Sequence, residues 1–276
     1  SVGVVGYTTS PALPTTAGAY MPAVPPAVFL PGDGFALLMD DGNYQVIAVT
    51  YLGTSNFDIA MRVTFDCADN FYVAGQSRGN YPVTSIVTQG GLWPGYVFVD
   101  KLNPTLSGSI AATLTSIPHS NVVASALGVD RCGNIIVGTF GPEWPQNGVI
   151  LTPDAFQTDP SSMYLAVFEP DFSALKFSTC LGTSFDHYHP GVCRINPEGI
   201  MYHCVCSSTD AFPTTPNAFA PAKMNSPNLG WVDNITYKFN WDMAAERTSV
   251  VSGGGANTSR THCVRGCKSA RLHYAI

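Results

Sequence analysis

The sequence predicts an all-β, β-propeller-like protein with about four repeats of a four-stranded unit, the content of a propeller blade. Three observations lead to this prediction. Short segments of alternating apolar and polar residues recur along the chain, as in strands with one buried face. Turn-forming residues separate them, because the 276 residues include 26 glycines and 21 prolines. A hairpin pattern with an acidic turn also returns at a regular interval.

The hairpin pattern consists of a strand, a turn that begins with Asp or Asn, and a second strand. Its copies cover residues 62–75, 126–138 and 193–204. Their turns begin at Asp66, Asp130 and Asn196, so the repeats are 64 and 66 residues apart. Asp and Asn side chains can accept hydrogen bonds from their own turn, which favours a hairpin at these positions.

Each hairpin is followed by a long loop rich in Ser, Thr and Pro, and then by two further strands. The loop carries a repeated motif, which reads LPTTAGAY at 13–20, ILTPDAF at 150–156 and FPTTPNAF at 212–219. We expect its proline and its aromatic residue to hold the loop against the edge of the unit. The third strands are predicted at 33–40, 95–104, 163–171 and 233–242, and the fourth strands at 44–53, 108–116, 174–182 and 247–255.

The two ends of the chain look like two halves of one unit. SVGVVGYTTS at 1–10 aligns with a second strand, and THCVRGCKSARLHYAI at 261–276 has the pattern of the first strand that is missing before it. Three arrangements are open: the end segment closes a ring, it pairs with a neighbouring subunit, or the chain belongs to a longer array. We predict a single domain with repeats at about 1–61, 62–125, 126–191 and 192–261, and a closing or exchanged half-blade at 262–276.

Several of these segments resemble the SBBP repeat, a family named for seven-bladed β-propellers and common in secreted and surface-attached microbial proteins. The matching pieces are TSPALPTTAGAY, VTYLG, YVFVDKLNP, STCLG and STDAFPTTPNAF, which recur in the family's order over residues 1–255. The chain departs from the family in its smaller number of units and in YPVTSIVTQGG, which replaces the second Pro-Thr-Thr motif. The resemblance implies a secreted scaffold and supplies no catalytic residues.

The composition favours an extracellular protein. Charged residues make up 12% of the chain and the net charge is −6. The basic residues form no stripe of the kind that binds nucleic acid. No apolar run reaches the roughly 18–20 residues that cross a bilayer. Eight cysteines and two sequons, at Asn234 and Asn257, fit an oxidising compartment in which these asparagines can be glycosylated.

The cysteines are predicted to be structural. A disulfide that closes a long loop stabilises a protein by about 2–4 kcal/mol. The connectivity stays open, because eight cysteines allow many pairings. His203 beside Cys204 is the only sequence feature that would suit a reactive thiol instead. The disulfide candidates are Cys67, Cys132, Cys180, Cys193, Cys204, Cys206, Cys263 and Cys267.

Two segments contain residue types that bind metals. DHYHPGVC at 186–193 brings His187 and His189 to one side of an extended strand, and imidazole and thiolate groups suit zinc or copper. DCADN places Asp66 and Asp69 in one turn, where they could bind calcium. The alternatives are solvated histidines beside disulfide-bonded cysteines, and hydrogen bonding of Asp within its own turn. We prefer these alternatives and predict no metal or other cofactor.

The predicted function is that of a non-enzymatic, disulfide-stabilised structural subunit that self-associates into a fibre, appendage or surface layer. No nucleophile-elbow motif is present in the sequence. One alternative is a secreted module that binds a glycan or a protein, with Trp93 and Trp231 stacking on sugars, although burial is the preferred interpretation of both tryptophans. A further alternative is a propeller-type enzyme that cleaves glycans where several repeats meet.

Overall fold

The structure, a computed structural model, confirms the all-β prediction. It describes residues 1–24, 32–85, 95–115, 122–141, 149–183, 192–207, 212–222 and 233–241. Within these ranges, fourteen strands form four antiparallel sheets. The same ranges contain no helix that is long and apolar enough to cross a membrane.

The four sheets follow one another along the chain. Sheet 1 contains β1 (Val2–Thr8), β2 (Asp33–Met39) and β3 (Val46–Leu52). Sheet 2 contains β4 (Asp58–Phe65), β5 (Phe71–Ser77), β6 (Tyr96–Leu102) and β7 (Ser109–Thr115). Sheet 3 contains β8 (Val123–Val129), β9 (Ile135–Phe140), β10 (Met163–Phe168) and β11 (Leu175–Leu181). Sheet 4 contains β12 (Val192–Ile195), β13 (Met201–Ser207) and β14 (Asp233–Phe239).

Sheets 2 and 3 are meanders of four strands, whereas sheets 1 and 4 have three described strands each. In sheet 1, β1 pairs with β2 as β5 pairs with β6 in sheet 2, so β1 holds the position of a second strand. The position of a first strand beside β1 is therefore open among the described residues. In sheet 4, the fourth strand is predicted at 247–255, which lies outside the described residues.

Asp and Asn side chains build the turns of the first hairpins. Asp66, Asp130 and Asn196 each accept hydrogen bonds from the amides two and four residues later, at 2.8–3.1 Å. These bonds satisfy backbone N–H groups of the turn that have no partner in the strand pairing. Gly133 and Gly199 supply the left-handed backbone of the turn, with φ of 82° and 81°.

A threonine bonds the long loop to its sheet, and in the first copy of the motif the aromatic residue Tyr20 also packs against the core, as expected. The Thr16 amide and hydroxyl donate to the Val49 carbonyl at 3.1 and 3.3 Å, and the hydroxyl accepts from the Val49 amide at 3.1 Å. The loop thereby forms hydrogen bonds with the fourth strand of the unit. The equivalent pairs in sheets 2 and 3 are Thr84 with Ala112 and Thr152 with Ser178.

Consecutive sheets pack face to face. β4 lies against both β1 and β8, and β8 lies against β12, so the first strands of successive sheets are neighbours. Phe71 and Phe98 of sheet 2 pack in one core with Ala36 of sheet 1. On the other face of sheet 2, Val97 packs in a second core with Ile135 of sheet 3. Sheet 2 is therefore buried on both of its faces.

Candidate functional site

The face of sheet 1 that points away from sheet 2 is apolar and only partly covered. Its side chains alternate along β1 and β2 with those that contact sheet 2. Phe35 lies over Gly6, where a Cβ atom would be 3.0 Å from the phenylalanine ring. We call this surface the open face, and it consists of Val2, Val4, Phe35, Leu37 and Met39, all partly exposed.

Equivalent positions in sheet 2 show what such a face normally contacts. Met39 and Leu102 both follow the bulge in the pairing of a third with a fourth strand, and Phe35 and Phe98 both lie four residues earlier. Phe98 and Leu102 are 0% exposed, because sheet 1 covers them. The open face is thus the surface that a further sheet or strand would cover.

The edge of β1 adjoins the open face. Among the described strands, β2 is the sole pairing partner of β1. In the other sheets a first strand lies at this side of the second strand, as β4 does beside β5. The backbone N–H and C=O groups along an unpaired edge can accept another strand.

The outward face of sheet 4 has a different chemistry. Cys204 lies opposite Thr236, and Cys206 lies opposite Asn234. The thiols contact these residues, with 3.6 Å between the Thr236 hydroxyl and Cys204 Sγ and 3.8 Å between Cys206 Sγ and Asn234 Oδ1. Asn234, the first predicted glycosylation site, is exposed here. The two outer faces of the described sheets are therefore unlike, one apolar and one polar.

The structure brings His203 next to Cys193 rather than Cys204. Cys193 and His203 face each other across β12 and β13, and the His203 ring lies 2.7 Å from the Tyr237 hydroxyl. Burial, together with the Arg62 cation, lowers the pKa of His203 to about 4. Burial raises the pKa of Cys193 to about 12. Both groups are therefore neutral near pH 7, which is unlike the charge state of an activated thiolate.

The cysteines fall into three groups, and the structure differs from the disulfide prediction in one of them. Cys67 and Cys132 are disulfide-bonded, whereas Cys263 and Cys267 lie outside the described residues. The register explains why Cys204 and Cys206 form no disulfide with β14, because the residues opposite them on that strand are polar and are not cysteines. The cysteines that form no disulfide bond are Cys180, Cys193, Cys204 and Cys206.

The predicted metal ligands are not brought together in the part of the chain that the structure describes. His187 and His189 lie outside that part. Both oxygens of Asp66 serve its own hairpin, since Oδ2 also accepts from Asn70 Nδ2 at 2.8 Å. Asp69 lies in the same turn with a φ of 60°. Within the described ranges, no three His, Cys, Asp or Glu side chains are grouped closely enough to hold a metal ion.

Three buried carboxyl groups, on Asp33, Asp58 and Asp100, are sites that the sequence reasoning did not identify. Asp100 is 0% exposed and accepts hydrogen bonds from Tyr81 at 2.9 Å and Ser109 at 2.6 Å. The sequence feature that could have indicated Asp100 is an acidic residue between inward-facing apolar positions of an alternating strand.

The remaining predicted site residues, Trp93, Trp231 and Asn257, lie outside the described residues.

Comparison with known proteins does not assign the chain to a family. No family model matches it, and no curated protein is significantly similar to it. The resemblance to the SBBP repeat therefore stays a prediction.

Proposed function

We propose that the protein is a structural subunit of an extracellular or cell-surface assembly, such as a fibre, appendage or surface layer. The observation that carries the proposal is the open face of sheet 1 beside the unpaired edge of β1. An added strand would satisfy the backbone groups of this edge and would remove apolar surface from water. Strand addition is a common way in which one chain binds another.

The strand that suits this position is the segment 261–276 of a second copy. Its sequence resembles the first strand and turn of the other units, which is the part that sheet 1 lacks. Exchange of this segment makes a head-to-tail contact, and such contacts extend into a filament when they do not close. The competing arrangement is closure within one chain, which would leave a monomer.

The propeller-like arrangement is part of the same proposal. Support comes from the first strands, because β4, β8 and β12 are neighbours in the way that inner strands of blades are neighbours around an axis. The low charge, the two sequons and the disulfide-bonded Cys67 and Cys132 support an extracellular location.

The experiment measures the mass of the purified full chain by light scattering over a range of concentrations. We expect the mass of the wild type to rise with concentration. Val4→Asp, on the edge strand β1 itself, should keep the chain monomeric, because the added strand would lie beside the new charge and bury it without a partner. The matched control is Ile110→Asp, since Ile110 is 49% exposed on β7 and lies outside the open face. A wild type that stays monomeric, or equal effects of the two variants, would contradict the proposal.

A further inference from the structure

A second site lies where sheets 1 and 2 meet, at the ends of the strands opposite to the Asp and Asn turns. Asp33 begins β2, Asp58 begins β4, and Ser77 ends β5 directly opposite Asp58. The Asp58 amide donates to the carbonyl of Gly32 at 2.9 Å. This bond joins the starts of β2 and β4, where the two acidic residues lie.

Asp58 has one carboxylate oxygen without a donor. The residue is 0% exposed. Its Oδ2 accepts hydrogen bonds from the Thr54 amide at 2.6 Å and from the Thr54 hydroxyl at 2.8 Å. Its Oδ1 is buried and has no hydrogen-bond partner. A buried carboxylate oxygen in this state is unfavourable unless a proton or a bound ion compensates it, and burial raises the pKa of Asp58.

Asp33 supplies a second carboxyl group to the same place. It is 9% exposed, so it is nearly as buried as Asp58. A Cβ atom on Gly53 would be 2.5 Å from Asp33 Oδ1, so the glycine leaves the room that this carboxylate occupies. Burial, and then the charge of Asp58, raise the pKa of Asp33 to about 6. The two groups therefore repel each other when both are ionised.

The next junction shows that the fold does not need these carboxyl groups. The sheets can be aligned on the β-bulges of their strand pairs. In this alignment Tyr96 of sheet 2 is equivalent to Asp33, and Val122 beside sheet 3 is equivalent to Asp58. Val122 is buried, and its side chain has no polar group that needs a hydrogen-bond partner. The same kind of sheet junction thus forms with apolar residues, and the acidic pair requires another explanation.

We propose that Asp33 and Asp58 bind a hard divalent cation, Ca²⁺ or Mg²⁺, with the hydroxyl of Ser77 beside them. Carboxylate and hydroxyl oxygens are the donors that these ions prefer. The cation would accept the free electron pairs of Asp58 Oδ1 and would cancel the repulsion between the two carboxylates. Because Asp33 belongs to sheet 1 and Asp58 to sheet 2, the ion would also join the two sheets.

The test is thermal unfolding of the purified full chain, first freed of metal with a chelator. CaCl2 and MgCl2 are titrated in separate series at constant ionic strength, with NaCl as the reference. We expect one of the divalent ions to raise the Tm progressively, because an ion that binds only the folded state stabilises it by mass action. Asp33→Asn should abolish this shift, whereas Asp159→Asn, a change at an exposed residue outside the site, should retain it.

A second readout separates binding from a general effect on stability. In metal-free buffer near pH 7, Asp33→Asn should raise the Tm, since it removes the repulsion without removing any described hydrogen bond. Titration calorimetry with CaCl2 and MgCl2 should give heat with the wild type and none with Asp33→Asn or Asp58→Asn. Absence of binding to the wild type, or equal binding to Asp33→Asn, would overturn the proposal. Neither measurement depends on self-association, so the site can fail while the proposed assembly stands.

Discussion

At the scale of single residues, the buried carboxyl group of Asp100 makes the stability of the fold depend on pH. It lies on the face of sheet 2 that contacts sheet 1, and Tyr81, one of its donors, stacks on Phe98 with 4.1 Å between the ring centroids. Burial raises the pKa of Asp100 to about 7, from about 4 in an unfolded chain. The folded protein therefore keeps a proton on this carboxyl group over a pH range in which the unfolded chain has lost it.

The sign of the resulting pH dependence follows from proton binding. Between about pH 4 and 7 the folded state binds more protons at Asp100, so the free energy of unfolding falls as pH rises, by up to about 1.4 kcal/mol per pH unit. Asp33 acts in the same direction up to its pKa of about 6. His203 acts in the opposite direction, because its lowered pKa of about 4 means that the unfolded chain binds the proton first. Comparison with a variant isolates the contribution of Asp100.

We predict that Asp100→Asn removes part of this pH dependence. From pH 5 to 7, the wild type should lose up to about 3 kcal/mol of stability relative to the variant, as the carboxyl group loses its proton. Urea denaturation of both proteins at several pH values measures the difference. Asp159→Asn is the control, since Asp159 is exposed. Parallel pH profiles for wild type and Asp100→Asn would show that Asp100 is not the responsible group.

At the scale of elements, the hairpin turns depend on a residue with left-handed backbone. Gly133 has a φ of 82°, and a Cβ atom at this position would also be 3.3 Å from the Pro170 side chain. We predict that Gly133→Ala lowers the free energy of unfolding by about 1 kcal/mol. The matched change is Asp69→Gly at the equivalent position, where φ is 60°. It should be neutral or stabilising in urea denaturation, and a destabilisation as large as that of Gly133→Ala would refute this explanation.

The threonine of the long loop gives a second prediction for an element. Thr84→Val removes the hydroxyl that donates to the Ala112 carbonyl at 3.1 Å and accepts from the Ala112 amide at 2.9 Å. A loss of about 1 kcal/mol of stability is expected for such hydrogen bonds. Thr84→Ser should retain most of the stability, and Thr105→Val, in an exposed turn, should have little effect. If Thr84→Val and Thr105→Val lower the free energy of unfolding by the same amount, the loop is held by other contacts.

The sequence predicts the elements better than the contacts between them. The third strand of the first unit is expected at 33–40 and is found at Asp33–Met39, because alternation and turn residues define both of its ends. The loop motif is recognised, but its repeated letters do not distinguish the threonine from the proline. The pair of Asp33 and Asp58 escapes detection for another reason. It joins the third strand of one unit to the first strand of the next, and only the packing of the sheets shows that these strand starts meet.

At the scale of the whole molecule, the two outer sheets expose chemically different surfaces. Sheet 1 offers an apolar face and a strand edge, whereas the outward face of sheet 4 carries Asn234, Thr236 and Lys238, all exposed. Two copies that stacked these two faces together would bury polar groups against apolar ones, which is unfavourable. The proposed contact is therefore a strand added at β1 and not a face-to-face stack of sheets 1 and 4.

Cross-linking of isotopically mixed protein distinguishes strand exchange between copies from closure within one chain. Equal amounts of ¹⁴N- and ¹⁵N-labelled full chain are unfolded together, refolded, treated with a short amine-reactive cross-linker and digested for mass spectrometry. We expect cross-links between the amino group of Ser1, next to β1, and Lys268 of the segment 261–276. About half of them should join a light peptide to a heavy one, because each strand comes from another copy. Cross-links formed only between peptides of the same isotope would show closure within one chain and would contradict assembly by strand exchange.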